Sequence, residues 1–162
     1  MGSNITSFPV LEHPAPSFTT SEASELAKFW FKETLDVSPL VSERDQNFLL
    51  TNKKSKKFVL KIANAAESVE VLDFQNQAMN HMAKQDPSLP LPRACLSLDK
   101  QQIHRLELNG NEHFVRVVTY LSGRLLDDLP KDRRDQNLMV SMGQFLGRLD
   151  RGLADFFHPA AG

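Results

Sequence analysis

The chain has 162 residues, 41% hydrophobic and 24% charged, with a formal net charge of −1. This suits one domain with or without an appendage, allows a packed core, and gives no general pull toward nucleic acid or an anionic membrane. A single cysteine, Cys95, excludes an intramolecular disulfide framework. With no apolar run of membrane-spanning length and no secretory signal at the start, the expectation is a cytoplasmic domain.

Residues 1–18, rich in Pro, Ser and Thr, read as a flexible arm. Its start matches two short patterns, Gly2 followed by Thr6 for myristoylation and Asn4-Ile-Thr for glycosylation, both of which arise often by chance. "TTSEASELAKFWFKE" then predicts a helix capped by Thr20 or Ser21, with Leu26, Phe29 and Trp30 on its apolar face. Strand-like pieces follow at Pro39–Ser42, Asn47–Thr51 and Phe58–Ile62. The lysine-rich "NKKSKK", with Asn52 and Ser55 as turn residues, predicts a solvated hairpin tip between the last two.

"ESVEVLDFQNQAMNHMAK" predicts a helix of four to five turns, with Leu72, Gln75, Met79 and Met82 on one face. Its end is set by the prolines of "DPSLPLP". "RACLSL", "QIHRLEL" and "HFVRVVTYL" read as three further strands, the last two joined by a hairpin at Asn109-Gly110. Cys95 lies in the first of these and reads as an inert buried thiol. After the connector "SGRLLDDLPKDRRD", a helix over about Asp135–Phe156 carries the stripe Leu138, Met142, Phe145, Leu149, Leu153 and Phe156.

Strands in hairpins rather than βαβ units predict an α+β fold with a mainly antiparallel sheet of about five strands and helices to one side. The helix that follows the third strand must then cross the sheet. Lys61, inside the apolar run "KKFVLKIANA", needs a partner: a helix carboxylate, a bound anion, or solvent. A lysine at that place can project into a cleft and hold an anion, or it can be structural and snorkel.

Three stretches, "LVSERDQNFLL" with "KKFVLKIANA", "LDFQNQAMNHM", and "VRVVTYLSGRLLDDL" leading to "MGQFLGRLDRGLADFFHPAA", resemble the nucleotide-binding lobe of the aminoglycoside phosphotransferase and choline kinase-like superfamily. That superfamily is related in fold to protein kinases, and the nearest branch is that of the hydroxylysine and homoserine kinase-like proteins. The resemblance runs from about Phe18 to the end. It implies a nucleotide-binding lobe over residues 19–121, and a hinge, connector and first helix of a second lobe over 122–162.

The resemblance also implies roles. Lys61 matches the lysine that contacts ATP phosphates, and Ser42–Gln46 the loop that covers them. Without glycines, that loop would have to use Ser42, Gln46 or backbone amides. Thr119–Gly123, including Thr119, Tyr120 and Leu121, matches the hinge that bonds adenine through its backbone, with Val41, Leu49 and Val59 as its apolar walls. The family often pairs the lysine with a helix glutamate. Here that position falls on Gln75, with Asp73 and Glu70 as nearby alternatives.

The five histidines, His13, His81, His104, His113 and His158, do not begin the family's His-x-Asp catalytic pattern. The expectation is therefore an ATP-binding lobe truncated before its catalytic loop and inactive alone. Magnesium ligands and the small-molecule hydroxyl acceptor would belong to the missing lobe. The alternative is a non-catalytic binding or regulatory module that keeps the lobe's fold. The six apolar side chains of the last helix, at about 1.5–3 kcal/mol each when buried, sum to roughly 10 kcal/mol. The stripe is expected to fold back on the sheet or to form a homodimer with a second copy.

Overall fold

The computed structural model describes residues 14–108, 110–130, 132 and 134–161. The two short patterns near the start, Gly2 with Thr6 and Asn4-Ile-Thr, lie outside them. Helix α1 spans Thr20–Ala27, α2 Val69–Gln85 and α3 Gln136–Leu153. The strands are β1 Asp36–Leu40, β2 Gln46–Thr51, β3 Lys57–Ile62, β4 His104–Leu108 and β5 Asn111–Thr119. They form one antiparallel sheet in the order β1-β2-β3-β5-β4. Among the described residues no helix is long and apolar enough to cross a membrane.

Local chemistry sets the boundaries. Thr19 caps α1 in a capping box with Glu22, one residue before the expected cap. The capping bond needs the residue whose backbone is still extended, and Thr19 has φ −77° and ψ 163°. Ser68 and Asp135 cap α2 and α3 through the amides of Val71 and Leu138. The β2–β3 tip is closed by Asn52, whose side chain accepts from the amides of Lys54 and Lys56, while Ser55 adopts φ 58°. Leu108 pairs with Asn111 across the β4–β5 connection, where Gly110 has φ +76°.

"RACLSL" is not a sixth strand. Only Ala94 bridges to Val118, with Cys95 N–H donating to the carbonyl of Val117. Strand β4 pairs with β5 up to Val115, and this segment caps the remaining stretch of the same edge.

Alternation divides the sheet's side chains between two faces. Phe48, Leu50, Phe58, Leu60, Ile62, Val115 and Val117 form one face, closed over by Phe18, Ala23, Ala27, Trp30 and Leu35. Trp30 is 5% exposed and donates its indole N–H to the Cys95 carbonyl at 3.0 Å. Residues 14–18 are part of this packing rather than an arm. Phe18 is buried, its backbone exchanges two hydrogen bonds with the Gln46 amide, and the Pro14 carbonyl accepts from Asn64 Nδ2.

The other face carries Asn47, Leu49, Val59, Lys61, Arg116 and Val118, with α2 crossing over part of it. The amphipathic helix α3 packs beside α2 and not on the sheet. A bidentate pair from Arg148 to Asp86 at the C-terminal end of α2, and His81 against the Gly152 carbonyl and Asp155, hold the two helices together. Gly152 lies so near Met82 that a Cβ there would fall 2.5 Å from its Cε. None of the stripe residues of α3 is fully buried, and Met142 is 42% exposed.

Candidate functional site

Register brings the site together. In the antiparallel ladder Asn47 stands opposite Lys61, and Lys61 opposite Arg116, so three polar side chains from β2, β3 and β5 share one row. The row opens on a cleft of about 340 Å³ lined by the β1–β2 loop, Asn47, Lys61, Glu67 and Gln75. Lys61 is half-buried there. Its ammonium donates to Asn47 Oδ1 at 3.0 Å and lies 3.6 Å from Asp45 Oδ2. Burial pushes its pKa below the ordinary value, Asp45 pulls it back up, and the Arg116 charge pushes it down again.

Arg116 was not singled out from the sequence, and it anchors the site. It is 5% exposed. Its guanidinium donates to Gln75 Oε1 and, at 2.9 Å, to Asn76 Oδ1, with a long 3.5 Å contact to the Leu72 carbonyl. Burial lowers its pKa, opposed by the more distant Asp45 and Glu67. The signal for Arg116 was present: one cation inside the otherwise apolar "FVRVV" of a central strand.

The predicted site residues separate into two groups. Ser42, Lys61 and Gln75 line the cleft. The Ser42 hydroxyl, however, donates to the Asp45 carbonyl, and the Gln75 acceptor is taken by Arg116 and not by Lys61. Leu49 and Val59 are register partners on the same face as Lys61, with Val118 next to Val59.

Four residues lie elsewhere. Gln46 pairs with Ile62 on the opposite face, and both ends of its amide are bound to the Phe18 backbone. Val41 points into solvent at the head of the loop and walls nothing. Asp73 pairs with His158 at 3.1 Å, because it lies off the helix face that carries Leu72 and Asn76. Thr119 is tied to the Arg93 backbone through its amide and hydroxyl.

The Tyr120 amide donates to the Lys57 carbonyl. Leu121, Ser122 and Gly123 are exposed and make no hydrogen bond among the described residues. No group of three or more His, Cys, Asp or Glu side chains that could hold a metal ion occurs among the described residues.

A model of the phosphotransferase enzyme family matches residues 36–161, from the start of β1 through α3. The chain belongs to that family. Its relatives include hydroxylysine kinase from Danio rerio, 30% identical over 151 residues, and hydroxylysine kinase from Bos taurus, 27% identical over 158. Each alignment covers 89% of this chain and 41% of the kinase, so the chain spans well under half the length of the relatives it matches.

Among solved structures, the amicoumacin kinase hAmiN in complex with AMP-PNP, Ca2+ and Ami superposes with a TM-score of 0.72 at 14% identity, over 86% of this chain and 41% of that one. A microcompartment-associated aminopropanol kinase superposes at 0.67 and 11% identity, over 88% and 43%. These likenesses establish the fold of a kinase-like N-terminal lobe for this phosphotransferase-family chain.

Proposed function

We propose that this chain is the ATP-binding lobe of a small-molecule kinase. The observation that carries the reading is the Lys61 ammonium at a cleft beside an apolar strip and an open hinge backbone. The residues suit a nucleotide. Lys61 supplies charge for phosphate oxygens, Leu49, Val59 and Val118 offer a flat apolar wall to a base, and the backbone of residues 121–123 has unspent donors and acceptors. Bound ATP would supply the phosphoryl group for transfer. This lobe's own residues bind and orient it.

Magnesium would arrive with the triphosphate, its protein ligands lying outside this chain. The same holds for the catalytic base, since no His-x-Asp occurs here. The lobe alone is therefore inactive, and the longer parent transfers a phosphoryl group to the hydroxyl of a small amine or amino acid. The names of the relatives and of the aminopropanol kinase neighbour support that acceptor class.

The test is a thermal shift with Mg-ATP on the wild-type chain and on Lys61→Ala. A rise in Tm that the substitution abolishes is the expected result. No rise in either protein supports the second reading, a non-catalytic module with the same fold. That reading draws on Asp45 already occupying the ammonium and Ser42 already spending its hydroxyl.

A further inference from the structure

The lysine of this cleft and the helix that crosses it are held by separate sets of contacts. Among the described residues no side chain of α2 bonds to Lys61. Its partners, Asn47 and Asp45, come from β2 and the loop before it. Helix α2 is instead fastened to β5 by Arg116 through Gln75 and Asn76.

Resting on the nucleotide reading of Lys61, we propose that Asp45 is the positioning residue of the site. The covering loop, and not the crossing helix, supplies the countercharge that keeps the ammonium charged and aimed into the cleft.

Asp45 is built for a fixed position. Its Oδ1 accepts from the Asn64 amide at 3.3 Å while Oδ2 faces Lys61, and its carbonyl accepts from the Ser42 hydroxyl. Asn64, wholly buried, reaches back to the Pro14 carbonyl and, at 3.5 Å, to that of Arg44. The loop is thus pinned to the chain just beyond β3, the strand that carries Lys61.

The other charged groups around the ammonium are Glu43, Arg44 and Glu67, which line the same cleft, and Arg116 from β5. Among the described residues only Asp45 lies within ion-pair distance of the ammonium. Burial first, and Arg116 after it, oppose the lysine's charge, and Asp45 favours it. Two consequences follow. Opening the loop removes the lysine's charged partner and leaves Asn47, and tilting α2 removes neither. The Gln75 amide, its oxygen held by Arg116, has its NH2 group left to face the cleft as a donor.

The experiment follows the Lys61 side chain by NMR pH titration in the full chain, its signal assigned by loss in Lys61→Arg. The same proteins are titrated with Mg-ATP. Asp45→Asn is expected to lower the Lys61 pKa by about one unit, an opposite charge at this range being worth that much. It is also expected to weaken Mg-ATP binding by about tenfold. Gln75→Leu is expected to leave the Lys61 titration in place.

An unchanged Lys61 titration in Asp45→Asn overturns the assignment, as does tighter Mg-ATP binding by that variant, which would make Asp45 a competitor of phosphate. A shifted titration with no Mg-ATP binding in any protein upholds the positioning role and removes the nucleotide reading. Should Asp45→Asn not fold, Asp45→Ser carries the same comparison.

Discussion

Gln75 accepts its hydrogen bond from Arg116, although Lys61 stands directly opposite Arg116 in the β3–β5 register. The two cations are therefore stabilised by different means. Lys61 has a carboxylate at 3.6 Å, while Arg116 has neutral acceptors from α2 and no carboxylate within ion-pair distance among the described residues. A buried guanidinium with amide acceptors alone is a place where a small change is felt strongly.

Arg116→Met should destabilise the fold by about 3 kcal/mol, read as a drop in the urea midpoint. The methionine fills the space but leaves Asn76, wholly buried, without its partner. Gln75→Glu should act in the opposite direction, by about 1 kcal/mol, because a carboxylate replaces a neutral acceptor on the same guanidinium. Chemical denaturation of the two variants beside the wild type checks both signs.

The Arg148–Asp86 clasp gives the α2–α3 contact a pH dependence. Hydrogen bonds from Arg148 and then Ser88 hold the Asp86 carboxyl below its ordinary value of 3.8. A carboxylate whose folded pKa is depressed contributes stability that is fully present above the unfolded pKa. That contribution is lost as pH falls through the lower, folded one. Tm measured from pH 6 down should therefore fall more steeply below about pH 4 in the wild type than in Arg148→Ala. At neutral pH the wild type should be the more stable of the two.

Cys95 should be slow to alkylate. Burial raises its thiol pKa to about 11, so at pH 8 only about one molecule in a thousand carries the thiolate. Iodoacetamide labelling at pH 8 should lag far behind that of a small free thiol and accelerate in urea. Equal rates in native buffer would show that the β5 edge opens readily.

Much of this architecture is written in local chemistry. The crossing helix, both hairpins and the lysine strand follow from caps, turn residues and periodicity. Gln46, Phe48 and Leu50 alternate onto one face and leave Asn47 on the face that Lys61 shares, so alternation alone puts Gln46 outside the cleft. Asp45 and Arg116 are different. One depends on how a loop folds against Asn64, the other on where α2 crosses β5, and contacts 19 and 41 residues apart in sequence leave no local pattern to read. The α3 stripe announces an apolar partner without saying which surface provides it. That surface is α2.

Two glycines of α3 offer a matched test of that partner. Gly147 has nothing within 4 Å of where a Cβ would sit, whereas a Cβ on Gly152 would fall 2.5 Å from Met82 Cε and 2.6 Å from its sulfur. Alanine raises helix propensity by about 1 kcal/mol at either position. Gly147→Ala should therefore stabilise the chain by up to about 1 kcal/mol. At Gly152 the same gain is opposed by overpacking of about 1–3 kcal/mol, since Met82 is 1% exposed and has little room to retreat. Gly152→Ala should come out neutral to destabilising, and Met82→Ala in the same chain should relieve the crowding. A double-mutant cycle by thermal denaturation measures that coupling. If both glycine variants are equally stabilised, with no coupling to Met82, the close approach of α3 to α2 at Gly152 is absent in solution.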